Sequence, residues 1–128
     1  MHKRLICPQR VRKVPKHFSW VDHRLVRDHY IEQLSHRAAA LYLFLVTVAD
    51  AQGLSYYSDI SILQRLNMKD HDLAQARLEL VHIGLIAWQK PIYQALELQA
   101  QSADMPKRSP AHPQLLGHIF KQIIKEAP

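Results

Sequence analysis

One stretch of the chain, residues 76–98, changes its hydrophobic period within a few residues. Up to Ile83, apolar residues recur at the spacing of about 3.6 residues that an α-helix requires. After Gly84, the sequences LIAWQ and IYQALEL have the β-branched and aromatic composition of strands, with Lys90 and Pro91 between them. This change predicts a helix that ends at Gly84 and is followed directly by a β-hairpin.

The sequence ahead of this stretch contains a short strand signal and two helix signals with a tight connection. LSYY is brief, aromatic and flanked by turn residues, which predicts a strand. Ser58 can cap a helix over DISILQRL, and Asn67 can adopt the left-handed conformation that ends it. Asp70 is the predicted N-cap of the next helix, and Asp72 lies in its first turn, where the helix dipole favours a carboxylate.

Two further helices are predicted nearer the N-terminus. Asp22 is the expected N-cap of the first, whose apolar stripe contains Leu25, Val26, Tyr30 and Leu34. Ser35 can cap the second, over HRAAALYLFLVTVAD, which is apolar nearly all round and should therefore be the central helix. Five aromatic residues lie at core-like spacings and are interpreted as core: Trp20, Tyr30, Tyr42, Phe44 and Trp88.

This ordered series resembles the winged helix-turn-helix family, whose members often end the third helix with Ala-Arg-x-x-Leu-x-x-x-Gly-Leu-Ile. The matching positions here are Ala76, Arg77, Leu80, Gly84, Leu85 and Ile86, and the resemblance covers residues 35–98. The chain is also similar to short bacterial proteins with such a unit and to the N-terminal domains of phage and plasmid replication initiators. The resemblance implies a mainly α fold, with a three-helix core, a small β-hairpin wing and binding to duplex DNA.

The expected organisation has four parts. Residues 1–16 form a basic extended arm, residues 17–98 the winged helix-turn-helix domain, residues 99–113 a Pro-rich linker, and residues 114–128 a C-terminal amphipathic helix. The arm holds six basic residues and no acid, whereas residues 17–103 hold seven basic and nine acidic residues. A basic arm attracts polyanions such as nucleic acid; a solvated tail that aids solubility is the alternative.

The helix before the hairpin is the expected reader of the major groove, by its N-terminal half. Its face away from the core offers Lys69, His71, Asp72, Gln75 and Leu78, and Gln can pair bidentately with adenine. Asp70, Asp72 and Glu79 oppose a phosphate backbone, and Arg77 lies beside the core stripe, where it can pair with an acid. The candidate DNA-binding residues are Arg10, Arg12, Lys13 and Lys16 in the arm, Lys69, His71 and Gln75 on the helix, and Lys90 at the hairpin turn.

The C-terminal segment QLLGHIFKQIIKEA places its apolar residues on one helical stripe. Such a stripe must be buried, and a homodimer or packing back on the same chain is favoured over binding to another protein or to a membrane surface; the first two alternatives stay open. The candidate oligomerisation residues are Leu116, Ile119, Phe120 and Ile123.

No enzyme signature is present in the sequence. The nine histidines form no His-Glu-x-x-His motif, no Cys-x-x-Cys accompanies them, and three glycines provide no phosphate-binding loop, so we predict no metal and no cofactor. The single cysteine, Cys7, predicts a cytoplasmic setting, and the longest apolar run, residues 38–49, is too short to span a membrane. The predicted function is duplex DNA binding, in transcriptional regulation or in replication or maintenance of a mobile element. The alternative is a protein-interaction winged-helix module.

Overall fold

The structure is a computed structural model that describes residues 2–99 of the 128-residue chain. The predicted C-terminal helix, residues 114–128, and nearly all of the predicted linker lie outside the described residues. Within residues 2–99, four α-helices and three strands follow in the order α1 (Arg24–Arg27), α2 (His36–Val48), β1 (Leu54–Tyr56), α3 (Asp59–Leu66), α4 (Asp70–Ile83), β2 (Ile86–Gln89) and β3 (Ile92–Ala95).

Most of the predicted helix ends are confirmed. The hydroxyls of Ser35 and Ser58 each accept a hydrogen bond from the backbone N–H three residues later, at 3.1 and 3.2 Å, which starts α2 and α3. Asn67 has a φ of 57° after α3, and Gly84 has a φ of 88° after α4. Both conformations are left-handed and end the helix. Glycine adopts this conformation without a steric penalty, and asparagine adopts it at a lower cost than most other residues.

The predicted cap of α4 is wrong by one residue. The N-cap is Lys69, and Asp70 is the first helical residue. The Asp72 carboxylate accepts a hydrogen bond from the Lys69 backbone N–H at 3.3 Å. A carboxylate in the first turn that reaches back to the N-cap satisfies an otherwise free donor, so Asp70 is not needed for this purpose.

The predicted first helix is wrong in extent. Asp22 does accept a hydrogen bond from the Arg24 backbone N–H at 2.9 Å, but α1 has only four residues. His29 has a φ of 65° and interrupts the helix, and a 3-10 turn over Ile31–Gln33 follows. Positions 25 and 30 would lie about 140° apart on one helix, so the interruption lets both buried side chains face the core.

Two side chains that were predicted to be apolar core residues are exposed. Val26 is 61% exposed and Trp20 is 73% exposed. Val26 lies on the outer side of the short α1, and Trp20 lies in the irregular segment before α1. Tyr30 is buried as predicted, and its hydroxyl donates a hydrogen bond to the Gln99 carbonyl at 2.6 Å.

The three strands form one antiparallel sheet in the order β1-β3-β2. The hairpin pairs β2 with β3 through Trp88 opposite Tyr93, and β1 pairs with the other edge of β3 through Ser55 opposite Tyr93. The predicted hairpin therefore gains the preceding short strand as a third member. The central position of β3 explains why Tyr93 is only 1% exposed.

The core is one cluster to which every helix and the sheet contribute. Helix α2 packs chiefly against α4, which confirms that the most apolar helix is central. The largest fully buried side chains are Leu41, Leu45, Ile62, Leu73, Leu80, Leu85, Ile86 and Tyr93. No helix in residues 2–99 has the length and apolar character that a membrane span requires.

Candidate nucleic-acid interface

Helix α4 has one side buried in the core and one side open to solvent. Leu73, Ala76 and Leu80 are at most 1% exposed. The exposed residues recur at intervals of three, four and seven positions, which places them on one stripe of the helix. We call this stripe the outward face of α4, and it consists of His71, Ala74, Gln75, Leu78 and His82.

Glu79, one of the three acids on α4, is used within the fold. Its carboxylate accepts hydrogen bonds from the Ser35 backbone N–H at 2.9 Å and from the Ser35 hydroxyl at 2.8 Å. The charge therefore lies at the N-terminus of α2, where the helix dipole stabilises an anion. Glu79 ties α4 to α2 and does not contribute to the outward face.

Asp72, the second acid, is also engaged. In addition to the hydrogen bond from Lys69, it lies 3.5 Å from the Nε atom of Arg37 on α2. Arg37 remains half exposed and offsets the charge of Asp72. Asp70 is the remaining acid of α4 and is exposed. The acidic character of α4 in the sequence therefore overstates the negative charge that the helix presents to a partner.

Arg77 is buried between α3, α4 and the hairpin. Its Nη1 atom donates to the Asp59 carboxylate at 2.9 Å and to the Tyr93 hydroxyl at 2.8 Å, and its guanidinium lies 3.9 Å from the centre of the Trp88 ring. Burial opposes the charge on Arg77, but the hydrogen bonds with Asp59 and Tyr93 outweigh it and raise the pKa of the guanidinium. The expected pairing of Arg77 with an acid is confirmed, and it fixes the hairpin against the two helices.

All eight candidate DNA-binding residues are exposed, in three separate places. Lys69, His71 and Gln75 lie together in the first part of α4, and Lys90 lies at the hairpin turn. The other four, Arg10, Arg12, Lys13 and Lys16, lie in the arm, where residues 2–21 are all exposed and Pro8–Arg10 forms one 3-10 turn. In the part of the chain that the structure describes, the side chains of these four form no ion pair.

Arg37 also belongs to this surface and was not predicted from the sequence. No local signal could have found it, because its partner Asp72 lies on another helix. The connection between the segment after the arm and α2 was missed for the same reason: the Ser19 hydroxyl donates to the Thr47 carbonyl at 3.1 Å, at the end of α2.

The candidate oligomerisation residues lie outside the described residues. Within residues 2–99, no three His, Cys, Asp or Glu side chains are grouped so that they can hold a metal ion. Comparisons of the chain with protein-family models, with curated proteins and with solved structures find no match.

Proposed function

We propose that the chain is a winged helix-turn-helix protein that binds duplex DNA, in transcriptional control or in the replication or maintenance of a mobile element. In this proposal α3 and α4 form the helix-turn-helix, α4 enters the major groove, and the β2–β3 hairpin is the wing. The observation that carries the proposal is the division of α4. Its inward charges are used by the fold, whereas its outward face is exposed in the part of the chain that the structure describes.

The outward face has the chemistry of a base reader. Gln75 can pair bidentately with adenine, and His71 can donate to a base or a phosphate. Ala74 and Leu78 can contact the methyl group of thymine, and Leu78 is 69% exposed. His71, Ala74 and Gln75 lie in the N-terminal half of α4, the part that a helix of this class inserts into the groove, and Leu78 lies just after it.

The arm supplies the positive charge that the outward face lacks. Its six cations are exposed and can neutralise phosphates or enter a narrow minor groove. The expected division of labour is that the arm provides sequence-independent affinity and α4 provides sequence preference.

A salt titration of duplex binding tests both parts. One variant of the full chain has Gln in place of Arg10, Arg12, Lys13 and Lys16. The negative slope of log K against log salt concentration should become shallower by roughly 3 to 4, because each phosphate contact contributes about 0.9. Gln75→Ala should lower preference for one sequence selected from a random pool and leave the slope nearly unchanged. Gln52→Ala, at an exposed turn away from α4, is the matched control and should change neither quantity.

A protein-interaction module is the second candidate. It is favoured by the exposed Leu78 and by the excess of two acids in residues 17–103, where nine acids oppose seven basic residues. The same titration decides between the two. If the full chain does not bind duplex DNA even at low salt, the outward face of α4 is the candidate surface for a partner protein.

A further inference from the structure

A groove of about 770 Å³ lies between residues 18–24, the end of α2 and the segment after β3. Two large aromatic side chains line it while remaining exposed: Phe18 is 64% and Trp20 is 73% exposed. Ser19 between them is held by its hydrogen bond to the Thr47 carbonyl. None of the candidate DNA-binding residues lines this groove, so it is a separate surface.

The chain leaves the described residues at the wall of this groove. Residues 94–98 line it, and Leu98 is only 4% exposed. The Leu96 backbone N–H donates to the Leu85 carbonyl at 2.9 Å, and the Tyr30 hydroxyl donates to the Gln99 carbonyl at 2.6 Å. The described chain therefore ends next to the groove.

The charges of the groove complement those of the segment that follows. Among the lining residues, the carboxylates of Asp22, Asp50 and Glu97 oppose the guanidinium of Arg24, which leaves a net charge of −2. Residues 100–128 contain four basic residues and two acids, a net charge of +2, and residues 114–128 contribute Lys121 and Lys125 against Glu126. An acidic rim around apolar side chains fits a basic segment with an apolar stripe.

We propose that the groove is covered by the C-terminal segment of the same chain, residues 114–128, with the apolar stripe of that segment against Phe18 and Trp20. Residues 100–113 can span up to about 46 Å when extended, so the tether allows this placement. The stripe offers Leu115, Leu116, Ile119, Phe120, Ile123 and Ile124. The inference does not depend on DNA binding, and it selects packing on the same chain over a homodimer.

Disulfide trapping in the full chain tests this placement, in a Cys7→Ser background. One variant carries Ala51→Cys, in an exposed turn that lines the groove, together with Gly117→Cys beside the stripe. The matched control carries Leu43→Cys, which is exposed on α2 and does not line the groove, together with the same Gly117→Cys. The groove pair should form an intramolecular disulfide at least about tenfold faster than the control pair. An undocked tether would give both pairs effective concentrations in the same, roughly millimolar, range.

A second pair of variants tests which residues dock, with folding verified by thermal unfolding. Ile119→Asp with Ile123→Asp should abolish the preference for the groove pair, because burial of two carboxylates is too costly. The control variant, His118→Asp with Gln122→Asp, changes nearby positions outside the stripe. It should retain the faster disulfide formation of the groove pair. Equal trapping rates for the two cysteine pairs, or retention of the preference in the first aspartate variant, would overturn the proposal. Preferential disulfides between two chains would overturn it in favour of a second copy.

Discussion

The inward and outward sides of α4 use polar residues in opposite ways. Arg77 and Glu79 point into the molecule, where each makes at least two hydrogen bonds to other elements. His71 and Gln75 are exposed, as is the cap residue Lys69. The difference teaches that the formal charge of a helix does not measure what it presents to a partner. Charges that are engaged in the fold must first be subtracted, and for α4 this leaves one of its three acids, Asp70, outside any ion pair or hydrogen bond named above.

The largest effect on stability should come from replacing Arg77, the buried cation of α4. Arg77→Ala removes the contacts with Asp59, Tyr93 and Trp88, and should lower the free energy of unfolding by about 2–3 kcal/mol. The loss stays below that of a fully buried pair because the Asp59 side chain is 43% exposed and can be solvated. Urea unfolding measures the change. Arg65→Ala, at an exposed position of α3, is the matched control and should cost less than about 0.5 kcal/mol. Equal losses in the two variants would break the distinction between inward and outward charges.

A smaller effect on stability is expected from replacing Glu79, the acid of α4 that bonds to Ser35. Glu79→Gln weakens the two hydrogen bonds from Ser35 and removes the charge at the N-terminus of α2, so it should cost about 1–2 kcal/mol of unfolding free energy. Asp70→Asn, the corresponding change at the exposed acid, should alter stability by less than about 0.5 kcal/mol. Chemical denaturation of both variants gives the comparison, and a larger loss for Asp70→Asn would contradict the assignment.

The smallest effect concerns an acid at the start of α1. The side-chain hydrogen bond from Arg24, together with its backbone N–H, lowers the pKa of the Asp22 carboxyl from 3.8 to about 2. Because the folded-state pKa is depressed, this stabilisation is present above pH 3.8 and is lost as the pH falls through about 2. Carboxyl NMR titration should show this low pKa in the native protein and a pKa closer to 3.8 in Arg24→Gln. An unchanged pKa in that variant would show that the pair does not form.

Local signals in the sequence predicted much of the fold, and long-range contacts account for what was missed. The starts of α2 and α3 and the ends of α3 and α4 follow from single residues with defined capping chemistry, such as Ser35 and Gly84. The interruption at His29 was not predicted from the period of its neighbours, and the adjacent Tyr30 makes a hydrogen bond to Gln99, 69 residues away, that no local pattern indicates. The role of Glu79 was equally hidden, since its partner Ser35 lies 44 residues away.

The candidate site, too, could be predicted from the sequence only where local signals determine it. Exposure of the eight candidate residues follows from the helical period and from the lack of apolar spacing in the arm. Which acids of α4 remain free could not be inferred, because Arg37 and Ser35 approach α4 only in the folded protein.

The central claim is that the outward face of α4, with the arm and the hairpin turn, contacts duplex DNA. The most direct test is an amide NMR titration of the full chain with a short random duplex at low salt. Chemical shifts should change at residues 10–16, at Lys69, His71 and Gln75, and at Lys90, whereas the amides of Leu41 and Leu45, in the buried part of α2, should change little. The account would be contradicted if chemical shifts did not change at any DNA concentration, or if the changes were confined to surfaces away from these residues.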